Sequence, residues 1–208
     1  MHLTIVDHPI ATDALATLRG QGSDMVAFRA AMHRLSTIVL AEATRDLPVM
    51  EQTVQTPLAE APARVLASQP VIVPVLRAGL GMLPAVLDLL PGADVGFVGI
   101  SRDEETALPQ PYVNKLPPNL ADRTCLVIDP MLATGGSLEY TCRLLLERGA
   151  PEPITVVCVL AAPEGIQRMR DSGMGLHVVT TAVDQHLNER AFIVPGLGDA
   201  GDRLFGAG

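Results

Sequence analysis

Five short apolar runs rich in β-branched residues recur along the chain, at residues 71–76, 95–100, 124–128, 154–160 and 176–183. Runs that are apolar throughout, rather than at every second position, are what strands buried on both faces require. Helix-length stretches lie between them, at 82–90, 136–148 and 163–171, the second closed by Gly149 and Pro151. Strand and helix alternating at this spacing predict an α/β domain with a mainly parallel sheet flanked by helices. Ligands of such sheets bind beyond the carboxyl ends of the strands. Before the first run, Met25, Phe28, Met32, Leu35, Val39 and Ala43 mark a helix over 24–45, with Ser23 or Asp24 able to cap it. The stretch 47–69 carries Pro48, Pro57 and Pro62 and alternates only around 52–56, which reads as an edge strand.

With 208 residues, the chain is expected to form one domain, 1–208. An apolar fraction of 48% against 18% charged residues excludes intrinsic disorder. Rings make up only 3% of the chain and Trp is absent, so a stacking platform for single-stranded nucleic acid is not expected. The net charge of −8 argues against a generic binder of phosphate backbones, so no nucleic-acid partner is expected and any phosphate must meet a local, built site. Cys125, Cys142 and Cys158 are odd in number and contain no Cys-x-x-Cys, which reads as reduced, buried thiols. The first ten residues do not read as a signal peptide, and the longest apolar stretch, 154–162, is about half a membrane span. A cytoplasmic protein with no membrane partner is expected.

The chemistry concentrates in Thr124-Cys-Leu-Val-Ile-Asp129-Pro-Met-Leu-Ala-Thr134-Gly135-Gly136-Ser137-Leu138. An apolar strand ends at an acid, and Thr-Gly-Gly-Ser opens a helix. Backbone N–H groups of such a turn, with the helix dipole behind them, make an anion cradle. Thr134 and Ser137 add hydroxyl donors, and the glycines let a phosphate approach the main chain. Asp129 stands where it can accept from sugar hydroxyls. No Lys follows the glycines and there is no GxGxxG, so neither a Walker loop nor a dinucleotide fingerprint is present. A plain capped helix after a tight turn is the competing explanation, which the acid at the strand tip disfavours.

This segment resembles the phosphoribosyl-pyrophosphate loop of type I phosphoribosyltransferases. Together with Leu76-Arg-Ala-Gly-Leu-Gly-Met82 and Gly196-Leu-Gly-Asp-Ala-Gly-Asp-Arg203 it resembles the uracil phosphoribosyltransferase family. Val6-Asp-His-Pro9, Glu104-Glu-Thr106, Pro111-Tyr112, Lys115-Leu116 and Ala161-Ala-Pro-Glu-Gly165 extend the likeness to nearly the whole chain. The resemblance implies transfer of the phosphoribosyl group from 5-phospho-α-D-ribose 1-diphosphate (PRPP) to uracil, giving UMP and diphosphate, with Mg²⁺ held through PRPP. It implies PRPP-binding roles for Arg77, Arg102, Asp129, Pro130, Met131, Leu132, Ala133, Thr134, Gly135, Gly136, Ser137 and Asp199. It places uracil on Ile193, Gly198, Asp199 and Ala200, and makes Arg102, Asp129 and Asp199 the catalytic group. It implies a homo-oligomer, and GTP activation in some members. Many type I enzymes carry two acids at the strand tip; here the second place is Pro130, which disfavours a purine substrate.

The polar segment 101–119, with four prolines, reads as a flexible lid or hairpin over the site. Residues 184–208 read as a small base-binding hood; the glycine-rich run 192–203 is a poor helix, and its main chain is what it can offer a base. Asp199 is open between assisting N1 deprotonation, contacting the sugar or metal-bound water, and organising an Asx turn. Arg77 and Arg102 follow strand ends, where the alternatives are a rim ion pair and a solvated loop charge. Glu104 and Glu105 read as solvated lid charges, Tyr112 and Lys115 as site shields or loop anchors, and His8, His33, His177 and His186 as structural or surface groups. A PRPP-sensing regulator bound to nucleic acid and a transferase for another base are the alternative functions.

Overall fold

A computed structural model describes residues 1–102 and 109–206. Its centre is an eight-stranded sheet. The strands are β1 (His2–Ile5), β4 (Val71–Leu76), β5 (Asp94–Val95), β6 (Phe97–Arg102), β7 (Pro109–Lys115), β8 (Cys125–Ile128), β10 (Ile154–Val157) and β12 (Leu176–Thr180), counting β2, β3, β9 and β11 below in chain order. The order is β1-β12-β10-β8-β4-β6-β7, with β5 on β4. Every pairing is parallel except β6 with β7, which form an antiparallel hairpin at one edge.

Period-two alternation divides each central strand between two cores. Ile72, Leu126, Ile128, Val157 and Val179 face α1 (Pro9–Arg19), α2 (Met25–Ala43), α3 (Leu83–Leu89) and α6 (Ala200–Phe205). Val71, Val73, Val75, Val127, Val156 and Val178 face α4 (Gly136–Glu147) and α5 (Pro163–Asp171). A strand buried on both faces needs an apolar side chain at every position, which explains the unbroken runs. The three cysteines are free and buried in the second core, where desolvation pushes the Cys125 thiol to about 11 and those of Cys142 and Cys158 to about 12.

The structure departs from several expectations. Helix α1 is present where none was expected. The imidazole of His8 accepts from the Ile10 N–H at 3.1 Å, and Pro9 occupies the first turn, where its missing donor costs nothing. The stretch 47–69 forms an antiparallel ribbon of β2 (Val49–Gln55) and β3 (Glu60–Leu66) off the main sheet, not one edge strand. The runs 154–160 and 176–183 each break. β10 ends at Val157 and β12 at Thr180, and β11 (Leu160–Ala161) and β13 (Ala182–Val183) continue in a second sheet with β9 (Met131–Leu132). The break sits where the Pro130 carbonyl accepts from both Val159 and Leu160, at 2.9 and 3.1 Å. The glycine-rich tail is helical over α6 because Asp199 caps it. Of segment 101–119, residues 103–108 lie outside the described residues, and β7 pairs with β6 from Arg102↔Pro109 to Phe97↔Lys115.

Candidate active site

β4 and β8 are neighbours, and their carboxyl ends deliver Arg77 and Asp129 to the same edge of the sheet. The turn after β4 fits against β8 because Gly79 has no side chain: a Cβ there would lie 2.5 Å from the Ile128 carbonyl oxygen. Beyond β8 a pocket of about 130 Å³ is lined by Asp129, Met131 and residues 133–138. Gly135 precedes α4 with a φ of +79°, the left-handed region that glycine enters without steric cost. By helix geometry the N–H groups of Gly136, Ser137 and Leu138 have no acceptor within α4, and they open toward the pocket with the positive end of the dipole.

Within the expected PRPP stretch the positions divide. Asp129, Met131, Ala133, Thr134, Gly135, Gly136 and Ser137 line the pocket. Pro130 is buried, with its carbonyl spent on Val159 and Leu160, and Leu132 is fully buried between the sheet and α4. The Asp129 carboxyl is pushed up to about 7 by desolvation, against which the Met131 N–H, 3.4 Å from Oδ1, gives only partial relief. An acid so placed gains from any partner that brings donors or positive charge.

Arg77 is exposed, its Nη2 3.6 Å from Oδ1 of Asp202 in the first turn of α6. The Gly81 position packs on Leu204 of the same helix. Block 76–82 therefore touches block 196–203 and packs on Ile128, the residue before Asp129. Arg102 closes β6 through its pairing with Pro109, while Glu104, Glu105 and Thr106 lie outside the described residues. Lys115 pairs with Phe97 at the amino end of β6, which favours the anchoring role over shielding. Tyr112 sits against Gly99, where a Cβ would meet its ring at 2.6 Å. His8 caps α1, His33 lies 3.4 Å from Asp88, and His177 bonds Thr4 and packs on His2, while His186 opens a strand of the hood.

The hood is a hairpin of β14 (His186–Leu187) and β15 (Ile193–Val194), followed by a loop with φ of +64° at Gly196 and +78° at Gly198, then α6. Ile193 and Ala200 are buried, and Gly198 and Asp199 are exposed. Oδ1 of Asp199 accepts from the Asp202 N–H at 2.9 Å, so one of its oxygens already organises the loop. Two arginines clamp this loop from below, which the sequence did not disclose. Arg19 pairs with Asp184 and donates to the Gly196 carbonyl at 2.9 Å. Arg203 donates to the carbonyls of Leu18, Leu197 and Gly20 and stacks 4.3 Å over Phe28.

Among the described residues, no three His, Cys, Asp or Glu side chains are grouped as a protein-held metal requires. The pocket offers the Asp129 carboxylate alone, a donor set that fits magnesium carried on phosphate oxygens rather than in a protein cage.

Comparison with known proteins decides the family. The model of the family described as uracil phosphoribosyltransferase matches residues 5–207. The chain belongs to the uracil phosphoribosyltransferase family. It is 50% identical to the uracil phosphoribosyltransferase of Corynebacterium efficiens, over 99% of this chain and 97% of the relative. Among solved structures, AQ2163 protein from Aquifex aeolicus superposes with a TM-score of 0.92 at 35% identity, covering 99% of this chain and 98% of that one. The Giardia lamblia APRTase complexed with 9-deazaadenine shares the fold, at a TM-score of 0.57 and 16% identity, covering 85% of this chain and 98% of that one. The mainly parallel sheet flanked by helices is thus the fold of type I phosphoribosyltransferases, as the resemblance implied.

Proposed function

We propose that this chain transfers the phosphoribosyl group from PRPP to uracil, giving UMP and diphosphate. The observation that carries the reading is the pocket between Asp129 and the start of α4, an acid facing an anion cradle at the carboxyl end of the sheet. The 5′-phosphate sits on the N–H groups and hydroxyls of residues 134–137. Asp129 accepts from the ribose hydroxyls. Positive charge develops on the ribose ring as diphosphate leaves, so the protein needs no covalent nucleophile. It holds the reactants in line and keeps water out. Arg77 and Arg102 meet the departing diphosphate, Arg77 exchanging its long contact with Asp202 for a stronger anion. Magnesium bound through PRPP would add charge neutralisation on the leaving group, and Asp129 is the pocket carboxylate that would help to hold it. The main chain at Ile193, Gly198 and Ala200 receives uracil. Any substrate role of Asp199, at N1 or at the sugar, falls to the oxygen not spent on the α6 cap.

A panel of radiolabelled bases offered with PRPP and Mg²⁺ tests this reading. Turnover of uracil above cytosine, adenine and hypoxanthine is expected; turnover of a purine at the uracil rate, or of no base, overturns it. The same assay with GTP added reads nucleotide activation. A homo-oligomer is supported by the β2–β3 ribbon, which leaves Val49, Met50 and Leu58 in solvent and belongs to a class of isolated hairpin that is marginal alone. Light scattering that finds only monomer at micromolar concentration would reject it. Free, buried cysteines fit a reducing compartment such as the cytoplasm, and no helix among the described residues is long and apolar enough to cross a membrane.

A further inference from the structure

The motif Ala161-Ala-Pro-Glu-Gly165 has no part in the chemistry above, yet it touches both halves of the site. It enters α5, whose first turn lies under the phosphate loop. A Cβ on Gly165 would overlap the Ala133 carbonyl oxygen and stand 2.9 Å from that of Leu132, so main chain packs on main chain there. In return, a Cβ on Gly135 would lie 3.2 Å from the Gly165 carbonyl oxygen and 3.4 Å from Cδ of Arg168. The lead-in is bonded to the same loop: Ala161 pairs with Leu132, and the Ala162 N–H donates to the Leu132 carbonyl at 2.8 Å. Arg168 ties α5 to the first turn of α4 through Glu139, Nε to Oε2 at 2.6 Å.

On its other side the same turn holds the hood. Oε1 of Glu164 accepts from the Leu187 N–H at 2.8 Å, at the end of β14 and directly across the hairpin from Ile193. That bond, the residue's own N–H and the nearby His186 together keep the Glu164 carboxyl below the ordinary range. The Asp184 N–H, at the entry to the hood, donates to the Ala161 carbonyl at 2.9 Å.

We infer that Glu164 is a positioning residue that registers the base-binding hood on the phosphate loop, with Gly165 as the point of contact beneath that loop. This rests on the reading of the hood as the uracil site. Glu164 touches neither substrate, and its effect passes through the Leu187 and Ile193 main chain. It therefore governs how well the base is held once PRPP is in place, and leaves the PRPP contacts themselves alone.

The test compares Glu164→Ala and Glu164→Gln with the unmodified protein, in steady-state kinetics with each substrate varied and in hydrogen exchange of the Leu187 amide without substrate. Losing the acceptor should raise the uracil KM about three- to tenfold while the PRPP KM stays within about twofold. The Leu187 amide should exchange faster, and Gln, which keeps an acceptor oxygen, should restore most of both. Equal rises in the two KM values, or a failure of Gln to restore, would assign Glu164 to general stability of α5 and overturn the inference. So would an unchanged uracil KM. If the unmodified protein turns over no uracil, the functional reading fails instead, while faster exchange at Leu187 in Glu164→Ala alone still upholds the mechanical link and normal exchange removes it.

Discussion

Arg19 and Asp184 meet end on, Nη1 to Oδ2 at 2.8 Å and Nη2 to Oδ1 at 2.6 Å, across 165 residues of sequence. Oδ2 also accepts from the Gly196 N–H at 2.8 Å, and Arg19 reaches the carbonyl of the same glycine. One ion pair thus fixes α1, the strand exit after β13 and the loop of the hood in a single arrangement. Burial opposes ionisation of Asp184, but the bonds from Arg19 and Gly196 and the guanidinium charge outweigh it and hold the carboxyl below its ordinary range.

Asp184→Asn should therefore cost stability, about 1.5–3 kcal/mol for a lost charge-assisted bond. Because the carboxyl is depressed in the folded state, its contribution is fully present above the ordinary aspartate value and is lost as pH falls through the folded one. Thermal unfolding of both proteins at pH 7 and at pH 3 checks this: the gap should be smaller at pH 3 than at pH 7. Equal midpoints at pH 7 would show that the pair contributes nothing.

Asp129 has the opposite sign. Its carboxyl is pushed up to about 7 by desolvation. The folded protein then retains a proton that the unfolded chain releases near pH ~4, so this group makes the fold less stable as pH rises from there to about 7. Asp129→Asn should remove that slope and leave the variant more stable at pH 8, by at most about 4 kcal/mol and less where solvent screens the pocket. Its kcat/KM should fall sharply. A ligand that brings hydroxyl donors or a cation favours the ionised form, so PRPP binding at pH 7 should release up to about half a proton from this group in the unmodified protein and none from that position in the variant. Calorimetry in two buffers of different ionisation enthalpy reads the difference directly, and identical apparent enthalpies would refute it.

The parts of the fold that were legible are those in which one strand or helix carries its own signal. Val71–Leu76 and Cys125–Ile128 are apolar at nearly every position because two cores claim alternate residues, and the acid and glycines after β8 mark a site at the sheet's edge. Helix α1 had the spacing, with Ala11, Ala14, Leu15 and Leu18 buried on one face, but it starts from a histidine cap rather than the usual Ser, Thr, Asp or Asn. The second sheet begins where one carbonyl, at Pro130, takes two donors from residues nearly thirty positions away, which no local pattern announces. The same holds for the clamps: Arg19 and Arg203 look like surface charges until the chain brings Asp184 and the carbonyls of Leu18 and Leu197 to them.

Gly135 is a position in the cradle where a side chain is strained. Its φ of +79° would cost alanine about 1–2 kcal/mol, and the added Cβ would press on the Gly165 carbonyl at 3.2 Å. Gly135→Ala should raise the PRPP KM about tenfold or more with a much smaller change for uracil, since the loop it distorts faces the phosphate and not the hood. A PRPP dissociation constant unchanged by calorimetry would remove the loop from the binding site.

The base itself should be read by main chain. Uracil offers acceptor, donor and acceptor along its O4, N3 and O2 edge, and cytosine replaces the first acceptor with an amine. The loop from Ile193 to Ala200 has Asp199 as its one ionisable side chain, and Asp199 already caps α6. Its peptide groups are held by Arg19 at Gly196 and by Arg203 at Leu197, so they cannot turn to suit a different edge. Cytosine would leave buried polar groups unpaired, a penalty that supports discrimination of about 10⁴-fold or more in kcat/KM. Loosening the loop should erode that ratio. At Gly196, with a φ of +64°, an added Cβ would collide with the Ile193 carbonyl oxygen. Gly196→Ala should therefore lose uracil turnover faster than it loses PRPP affinity. Arg19→Lys keeps the charge but not the two-pronged bond, and should lower the uracil-to-cytosine ratio while the protein stays folded. Comparable kcat/KM for the two bases in the unmodified protein would show that rigid peptide groups do not choose the base.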